Sequence, residues 1–372
     1  MSDHRNVAFT GISVDREALI ANYGAVAEQV APAGVIAVVK ANGYGHGAVE
    51  AARAFVDAGA EWLGVADIDE GIALRRAGID EGVRILAWLH APDEDFRRAA
   101  QWDITPAVSS VSQLAAAADS EVPAVHVCVD TGLSRNGAVE SEWAELFDTA
   151  GRLLRGGART RVEGLMSHLS NASRADDLDQ DAALQRALDG LAANGIVPDM
   201  VHLAASAASI AVPETRHDVA RVGLALYGLS PFPDRTSADL GLHPAMRVTA
   251  AVLRTIPVRA GDGVSYGYTW RAEADTRLAI IGLGYADGFD RALGNHVSVR
   301  IGDRLFPVVG RVAMNAMHVD IGDADVRVGD EAVLWGDPAS GDPAVEDWAA
   351  AIGTINYEVV ARVGRSVERR TT

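Results

Sequence analysis

The sequence predicts an α/β protein: an amino-terminal (β/α)8 TIM barrel followed by a carboxy-terminal all-β domain. Short β-branched apolar runs alternate with amphipathic helical stretches as far as residue 224, which is the order of a parallel sheet. Eight such units can be counted, the number that closes a barrel. After about Pro244 the helical periods fade, and short alternating strands appear between Gly and Asp turns.

The barrel elements follow one another in chain order. Strands are predicted at 34–40, 62–66, 84–89, 104–108, 124–129, 162–168, 200–204 and 219–224. Helices are predicted between them at 47–58, 69–77, 93–102, 111–118, 142–154 and 182–193. A doubly wound open sheet is the alternative architecture, but segment 41–47 lacks the G-x-G-x-x-G spacing of its phosphate loop.

The second domain is built from shorter strands. They are predicted at 248–256, 278–283, 297–301, 305–309, 317–321 and 331–335, with a short helix at 345–352. We expect a barrel domain over 11–243 and a β domain over 244–372, which residues 1–10 are expected to join. No low-complexity linker separates the two, so we expect them to pack closely.

Composition limits the classes of function. Of the 372 residues, 49% are hydrophobic and 23% charged, as in an ordinary globular protein. The net charge of −18 disfavours binding to nucleic acid or to an anionic membrane surface. Residues 1–10 lack the layout of a signal peptide, and no apolar run approaches the roughly 20 residues of a membrane span. Because Cys128 is the only cysteine, a cysteine-based metal cluster is excluded, and we expect a soluble cytoplasmic protein without metal.

Lys40 is the only lysine in a chain that otherwise uses arginine. Arginine can pair with anions, but its guanidinium stays protonated and cannot form a Schiff base. A single retained lysine therefore indicates a reactive amine, although chance composition is an equally good explanation from the count alone.

Several polar residues fall where predicted barrel strands end. Lys40 ends the first strand, His168 ends the sixth, and Ser206 follows the seventh. Arg221 and Gly223 lie on the eighth. Because catalytic groups of barrels sit at the carboxyl ends of strands, and phosphate is commonly bound after strands seven and eight, we expect these residues to share one rim.

Each of these residues also has a structural interpretation. Taken alone, His168 fits a hydrogen-bonded core histidine, and Arg221 fits a buried ion pair with Asp218 or a distant carboxylate. Tyr266 would ordinarily pack beside a glycine turn. The acidic pair at 69–70 is interpreted as solvated charge at a helix end and is assigned no role.

The motif A-V-V-K-A-N-G-Y-G-H-G at 37–47 resembles the cofactor-lysine signature of the alanine racemases, pyridoxal-phosphate enzymes with a barrel and a β domain. Supporting segments follow in the family's order at 129–137, 163–168, 206–209, 221–228, 264–267, 284–288 and 354–358. The resemblance covers nearly the whole chain.

This resemblance implies a two-base racemisation of alanine that produces D-alanine in a homodimer. Lys40 would hold pyridoxal 5'-phosphate and act on one face of the α-carbon, while Tyr266 of a second subunit would act on the other. The resemblance also implies that the phosphate is held by Tyr44, Ser206, Gly223, Leu224 and Tyr357, and that Arg221 faces the pyridine nitrogen. Arg135 would contact the cofactor phenolate oxygen and the substrate carboxylate, and the Met314 backbone of the second subunit would contact the same carboxylate. His168 would lie near Tyr266, and Tyr285 would lie with Tyr357 at the entrance.

Three positions depart from the family pattern. Cys128 stands where many members carry a carbamylated lysine, so we expect a chloride or another carboxylate to serve Arg135 instead. Ala205 and Asn315 replace a common asparagine and the usual aspartate. A racemase for another small amino acid, or a diverged non-racemising enzyme of the same fold, is therefore the alternative interpretation.

Two further classes compete with a racemase. A fold-related decarboxylase would place a carboxylate at the pyridine nitrogen and a catalytic cysteine in the β domain, whereas this chain has Arg221 and a barrel cysteine. A cofactor carrier of similar barrel type would lack the second domain.

Overall fold

The structure is a computed structural model that describes residues 10–363 and 369–372. Strand β1 (Thr10–Val14) begins the described chain. The barrel strands that follow are β2 (Gly34–Val38), β3 (Trp62–Val65), β4 (Arg84–Ala87), β5 (Thr105–Val108), β6 (Ala124–Cys128), β7 (Arg161–Met166), β8 (Met200–His202) and β9 (Val219–Val222). Their interiors are almost fully buried, as expected for apolar strands covered on both faces.

These eight strands form one parallel sheet in the order β8-β7-β6-β5-β4-β3-β2-β9. A parallel bridge between Ala205 and Arg221 joins the two ends of the sheet, and Arg221 N–H donates to Ala204 O at 3.0 Å. The sheet is therefore a nearly closed barrel, and the predicted fold class is confirmed. Each predicted strand overlaps an observed strand. Most of the predicted strands run past the carboxyl end of the observed one.

The helices pack outside the barrel. They are α1 (Arg16–Val30), α2 (Ala48–Asp57), α3 (Ile68–Arg76), α4 (Arg97–Gln101), α5 (Val111–Asp119), α6 (Glu140–Arg155), α7 (Arg174–Ala193) and α8 (Ser206–Ala211). The helix predicted at 93–102 is shorter because a turn precedes it, in which Glu94 N–H donates to Ala91 O. The helix predicted at 182–193 starts earlier because the Ser173 side chain caps it at the Asp176 N–H.

The carboxy-terminal domain is a second, mostly antiparallel sheet. Its strands are β10 (Met246–Val258), β13 (Thr276–Ile281), β14 (Ser298–Ile301), β15 (Arg304–Val309), β16 (Met317–Asp320), β17 (Glu331–Trp335) and β18 (Arg369–Thr371), beside a small hairpin of β11 (Gly263–Val264) and β12 (Trp270–Arg271). Strand β1 also belongs here, since it runs antiparallel to β10 with Ile12 opposite Val248. Residues 1–10 are predicted to join this domain. Residues 1–9 lie outside the described residues, and Thr10 pairs with Ala250 of β10.

Two helices complete this domain, α9 (Val345–Ala351) and α10 (Asn356–Arg362). The sequence analysis predicted the first but not the second. Helix α10 links the domains, because the Asn356 side chain donates to Ser230 O at 3.0 Å. Its Val360 carbonyl also lies so close to Gly45 that a Cβ at that glycine would come within 2.1 Å of the oxygen. The two domains therefore meet beside the segment that follows Lys40.

Two features are absent from the described residues. Among them, no helix has both the length and the apolar character needed to cross a membrane. The same part of the chain holds no group of three or more His, Cys, Asp or Glu side chains placed to bind a metal ion.

Candidate active site

The carboxyl ends of the barrel strands place several predicted residues at one rim. Lys40 follows β2, His168 follows β7, and Ser206 begins α8 after β8. Arg221 lies within β9, and Gly223 comes directly after that strand. The structure thus brings an amine, an imidazole, a hydroxyl and a guanidinium to the face of the barrel where catalytic groups are expected.

Lys40 is half-buried at this rim, and the pKa of its amine is lowered. Burial is the largest cause, the positive charges of Arg135 and Arg221 add to it, and the carboxylate of Glu70 opposes it. The Nζ atom lies 5.7 Å from the ring centroid of Trp88, which the sequence analysis did not single out. A larger fraction of this amine is neutral near pH 7 than of an exposed lysine, as a nucleophile or base requires.

The segment after Lys40 is a left-handed turn. Ala41, Asn42 and Tyr44 have φ of 54°, 55° and 51°, and Gly43 between them has φ of 60°. Left-handed backbone costs roughly 1–2 kcal/mol for each ordinary L residue, and runs of it are rare. Such strain persists only where surrounding contacts impose it, which is typical of functional sites.

Arg221 is buried and held by neutral groups. Its guanidinium donates to the carbonyls of His202, Ser167 and Leu203 at 3.0, 2.5 and 3.1 Å, and to the Nδ1 atoms of His202 and His168 at 2.9 and 3.0 Å. Burial lowers its pKa to about 10, with Cys128 acting to raise it and Arg135 to lower it.

The alternative of an ion pair between Arg221 and Asp218 is wrong. The Asp218 carboxylate accepts from the Val201 N–H at 2.7 Å, and no carboxylate among the described residues lies within 4.0 Å of Arg221. A full positive charge is therefore fixed at the rim without a compensating anion.

His168 is neutral in this environment. Burial, followed by the charges of Arg221, Arg135 and Lys40, holds its pKa well below the usual value. Because its Nδ1 accepts from Arg221, the single ring proton lies on Nε2. His168 can therefore donate one hydrogen bond from Nε2 to a group outside the Arg221 network.

A group of hydrogen-bonding side chains and backbone lies beside these residues. Gly223 N–H donates to Ser206 Oγ at 3.3 Å, and a Cβ at Gly223 would come within 2.3 Å of the Tyr44 hydroxyl. The ring of Tyr44 lies 6.2 Å from that of Tyr357 on α10, and burial raises the pKa of both phenols, that of Tyr357 to about 12. Two neutral hydroxyl donors and the backbone from Gly223 to the buried Leu224 can thus hold a phosphate group.

Cys128 is a buried free thiol, and burial raises its pKa. It therefore supplies no anion to Arg135, which is exposed. Two replacements for the missing carbamate are predicted, a carboxylate or a chloride. No carboxylate in residues 10–363 or 369–372 lies within 4.0 Å of the Arg135 guanidinium, so the first is not present there. The chloride stays a prediction.

Three predicted residues lie on the β domain. Tyr266, Met314 and Tyr285 expose 66%, 53% and 41% of their surface. In the described part of the chain, no hydrogen bond or ring contact joins their side chains to Lys40, His168 or the other rim groups. Within the described part of a single copy, no such contact therefore joins the two groups of predicted site residues.

The sequence analysis missed three polar residues. Glu70, which was assigned no role, accepts hydrogen bonds from the backbone N–H groups of Ala41 and Ala66. His202 and His126 form a buried pair below Arg221, with His202 Nε2 and His126 Nδ1 2.8 Å apart. The signal for the histidines was a polar residue inside an apolar strand, whereas nothing in the sequence distinguishes Glu70 from its exposed neighbour.

Family models match the chain in two parts. The model described as alanine racemase, N-terminal domain, matches residues 14–231, and the model described as alanine racemase, C-terminal domain, matches residues 245–371. Together they include every strand of the barrel and every strand of the second sheet except β1, of which only Val14 is matched.

Individual relatives agree with these models. An alanine racemase of Mycolicibacterium vanbaalenii is 45% identical over 358 residues, covering 94% of this chain and 90% of the relative. One of Mycobacterium tuberculosis is 44% identical over 357 residues, covering 93% and 92%. The structure of alanine racemase from Streptomyces coelicolor A3(2) is similar with a TM-score of 0.95 at 36% identity, covering 99% of both chains. With both domain models matched and relatives of this similarity along nearly its whole length, the chain belongs to the alanine racemase family.

Proposed function

We propose that this protein interconverts L- and D-alanine, using Lys40 and the Tyr266 of a second copy as opposed acid/base groups. The observation that carries the proposal is the half-buried Lys40 amine, whose pKa is lowered beside Arg221 at the carboxyl end of the barrel. The family of the chain supports the same reaction.

We propose pyridoxal 5'-phosphate as the cofactor. The Ser206 hydroxyl, the Gly223 backbone and the Tyr44 hydroxyl fit its phosphate, and the close approach at Gly223 leaves no space for a side chain. When bound, this cofactor withdraws electrons from the α-carbon of an attached amino acid and makes its proton acidic. Arg221, which keeps its proton, would offer the ring nitrogen a hydrogen bond without transferring a proton.

Racemisation requires that a proton leaves one face of the α-carbon and another arrives at the opposite face. Lys40 supplies one group, because its lowered pKa leaves a usable fraction of neutral amine to accept a proton. For the other face we propose Tyr266 of a second copy. A phenol ordinarily keeps its proton at neutral pH, but the Nε2–H of His168, backed by the Arg221 charge, would stabilise the phenolate.

The substrate carboxylate would lie between the two copies. Arg135 at the rim supplies a positive charge, and the exposed Met314 of the second copy supplies backbone contacts. Tyr285 and Tyr357 would narrow the entrance and so select a small side chain. The proposed assembly is therefore a homodimer, in which each site draws residues from both copies.

We also infer a cytoplasmic location. The one cysteine, Cys128, is a buried free thiol, a state that a reducing compartment preserves.

The direct test mixes the pure holoenzyme with L-alanine in deuterium oxide. We expect D-alanine that carries deuterium at the α-carbon, because the incoming proton comes from a group that exchanges with solvent.

Tyr266→Phe should abolish the racemisation while the visible absorbance of the bound cofactor remains. Carbon dioxide release would indicate a decarboxylase, and normal turnover by Tyr266→Phe would refute the second base.

A further inference from the structure

One carboxylate, Glu70, joins the turn after Lys40 to the adjacent barrel strand. Its Oε1 accepts from the Ala41 N–H at 2.7 Å, and its Oε2 accepts from the Ala66 N–H at 2.8 Å. Ala41 directly follows Lys40, and Ala66 directly follows β3. Both oxygens of a single side chain are thus committed to backbone donors from two different segments.

The position of this carboxylate is itself fixed. Glu70 lies in the first turn of α3, where the Asp67 side chain caps the helix by accepting from the Glu70 N–H at 2.9 Å. The carboxylate therefore reaches the turn from a capped helix end. Strand β3, which precedes its second donor, is held by pairing within the barrel sheet.

The turn needs such external support because four successive residues, Ala41 to Tyr44, have left-handed backbone. Other contacts hold its far end. The Asn42 side chain accepts from the Ala48 N–H at 3.0 Å, and α10 packs against Gly45. Ala41 is the residue next to Lys40. Among the described residues, Glu70 makes the only side-chain hydrogen bond to it.

We propose that Glu70 is a positioning residue of the catalytic centre: its carboxylate clamps the left-handed turn and so keeps Lys40 and Tyr44 aligned toward the cofactor site. Glu70 makes no ion pair with Lys40 within 4.0 Å among the described residues, so the clamp leaves the amine free to react. The functional consequence rests on the proposed function, whereas the clamp itself is measurable without turnover.

The test is Glu70→Gln, which keeps the shape of the side chain but turns an NH2 group toward one of the two N–H donors. In the holoenzyme we expect backbone amides of the peptide 39–46 to exchange with deuterium about tenfold faster or more, because one hydrogen bond is lost and one donor is left unpaired. We expect kcat to fall by at least about tenfold, while exchange in the outer barrel helices stays unchanged. Glu70→Asp, which keeps the charge but is too short to reach both donors, should give the same local effect.

Asp69→Asn is the matched control. It removes one negative charge from the adjacent position, where the exposed carboxylate pairs with Arg98 at the surface, and it should leave exchange and kcat at wild-type values. Wild-type exchange at 39–46 in both Glu70 variants would overturn the clamp, as would faster exchange spread over the whole barrel. If the wild-type protein and the control bind no cofactor and racemise nothing, the proposed function fails, while the exchange data still decide the clamp.

Discussion

Arg221 is oriented by a chain of hydrogen bonds that extends into the barrel. Because Arg221 donates to His202 Nδ1, the neutral His202 ring carries its proton on Nε2 and donates it to His126 Nδ1. Both histidines are fully buried, and burial lowers the pKa of each, so both stay neutral. The tautomer of each ring is thus fixed by its neighbour, and the direction of Arg221 depends on a residue well below the site.

Replacing His126 by leucine should weaken this chain. The Nε2–H of His202 would then be buried without an acceptor, which costs about 1–3 kcal/mol in the free energy of unfolding. Racemisation should fall as well, because His202, which accepts from Arg221, loses the contact that fixes its ring. Urea denaturation and the deuterium assay measure the two effects. The matched control is His296→Leu at an exposed position, which should change stability by less than about 0.5 kcal/mol. Equal stability of the two variants would contradict this role.

At the scale of elements, three barrel strands are tied together by Glu163. This buried residue of β7 pairs with Arg84 of β4 at 2.6 Å and with its own strand's Arg161 at 2.6 Å, and it faces His126 of β6 at 3.7 Å. Burial raises the pKa of the carboxyl, but His126 and the two arginines outweigh burial and lower it to about 2. The pairing therefore stabilises the barrel only while the carboxyl is ionised.

The pH dependence of stability follows from this shift. In the unfolded chain the carboxyl titrates near its ordinary value of 4.5. The stabilisation is complete above that pH and is lost as pH falls toward 2, by an amount on the order of 3 kcal/mol. Denaturant titrations of the wild type and Glu163→Gln at several pH values should show a variant that is less stable at pH 7 and converges on the wild type in acid. A constant difference down to pH 2 would contradict the assignment.

The apolar pattern of the strands explains why part of the architecture could be predicted from the sequence. Strands such as 34–38 and 62–65 are continuous apolar runs, the pattern expected of strands that are buried on both faces. The number and order of such runs therefore predict the barrel. Lys40 and Arg221 could be placed because they end or interrupt such runs. The left-handed turn and the Glu70 contacts could not, since they depend on segments that meet only in the folded chain.

At the scale of the molecule, one copy of the chain divides the predicted residues between two places. The rim holds Lys40, His168 and Arg221, while Tyr266 and Met314 lie exposed on the β domain. Both side chains are large and exposed, and we propose that a partner covers this surface. Covering by a second copy would bring Tyr266 to a rim that otherwise has one acid/base group, so activity should belong to the dimer.

Mixing two inactive variants tests this division of the site. Lys40→Ala and Tyr266→Phe should each be inactive as homodimers. In a mixed dimer one site would combine intact Lys40 from one copy with intact Tyr266 from the other, while the second site would carry both substitutions. Unfolding and refolding equal amounts together makes about half of the dimers mixed, so about a quarter of the wild-type activity should return. Refolding each variant separately before mixing is the control. If no activity returns although mixed dimers form, both groups must come from the same copy, and the proposed assembly is wrong.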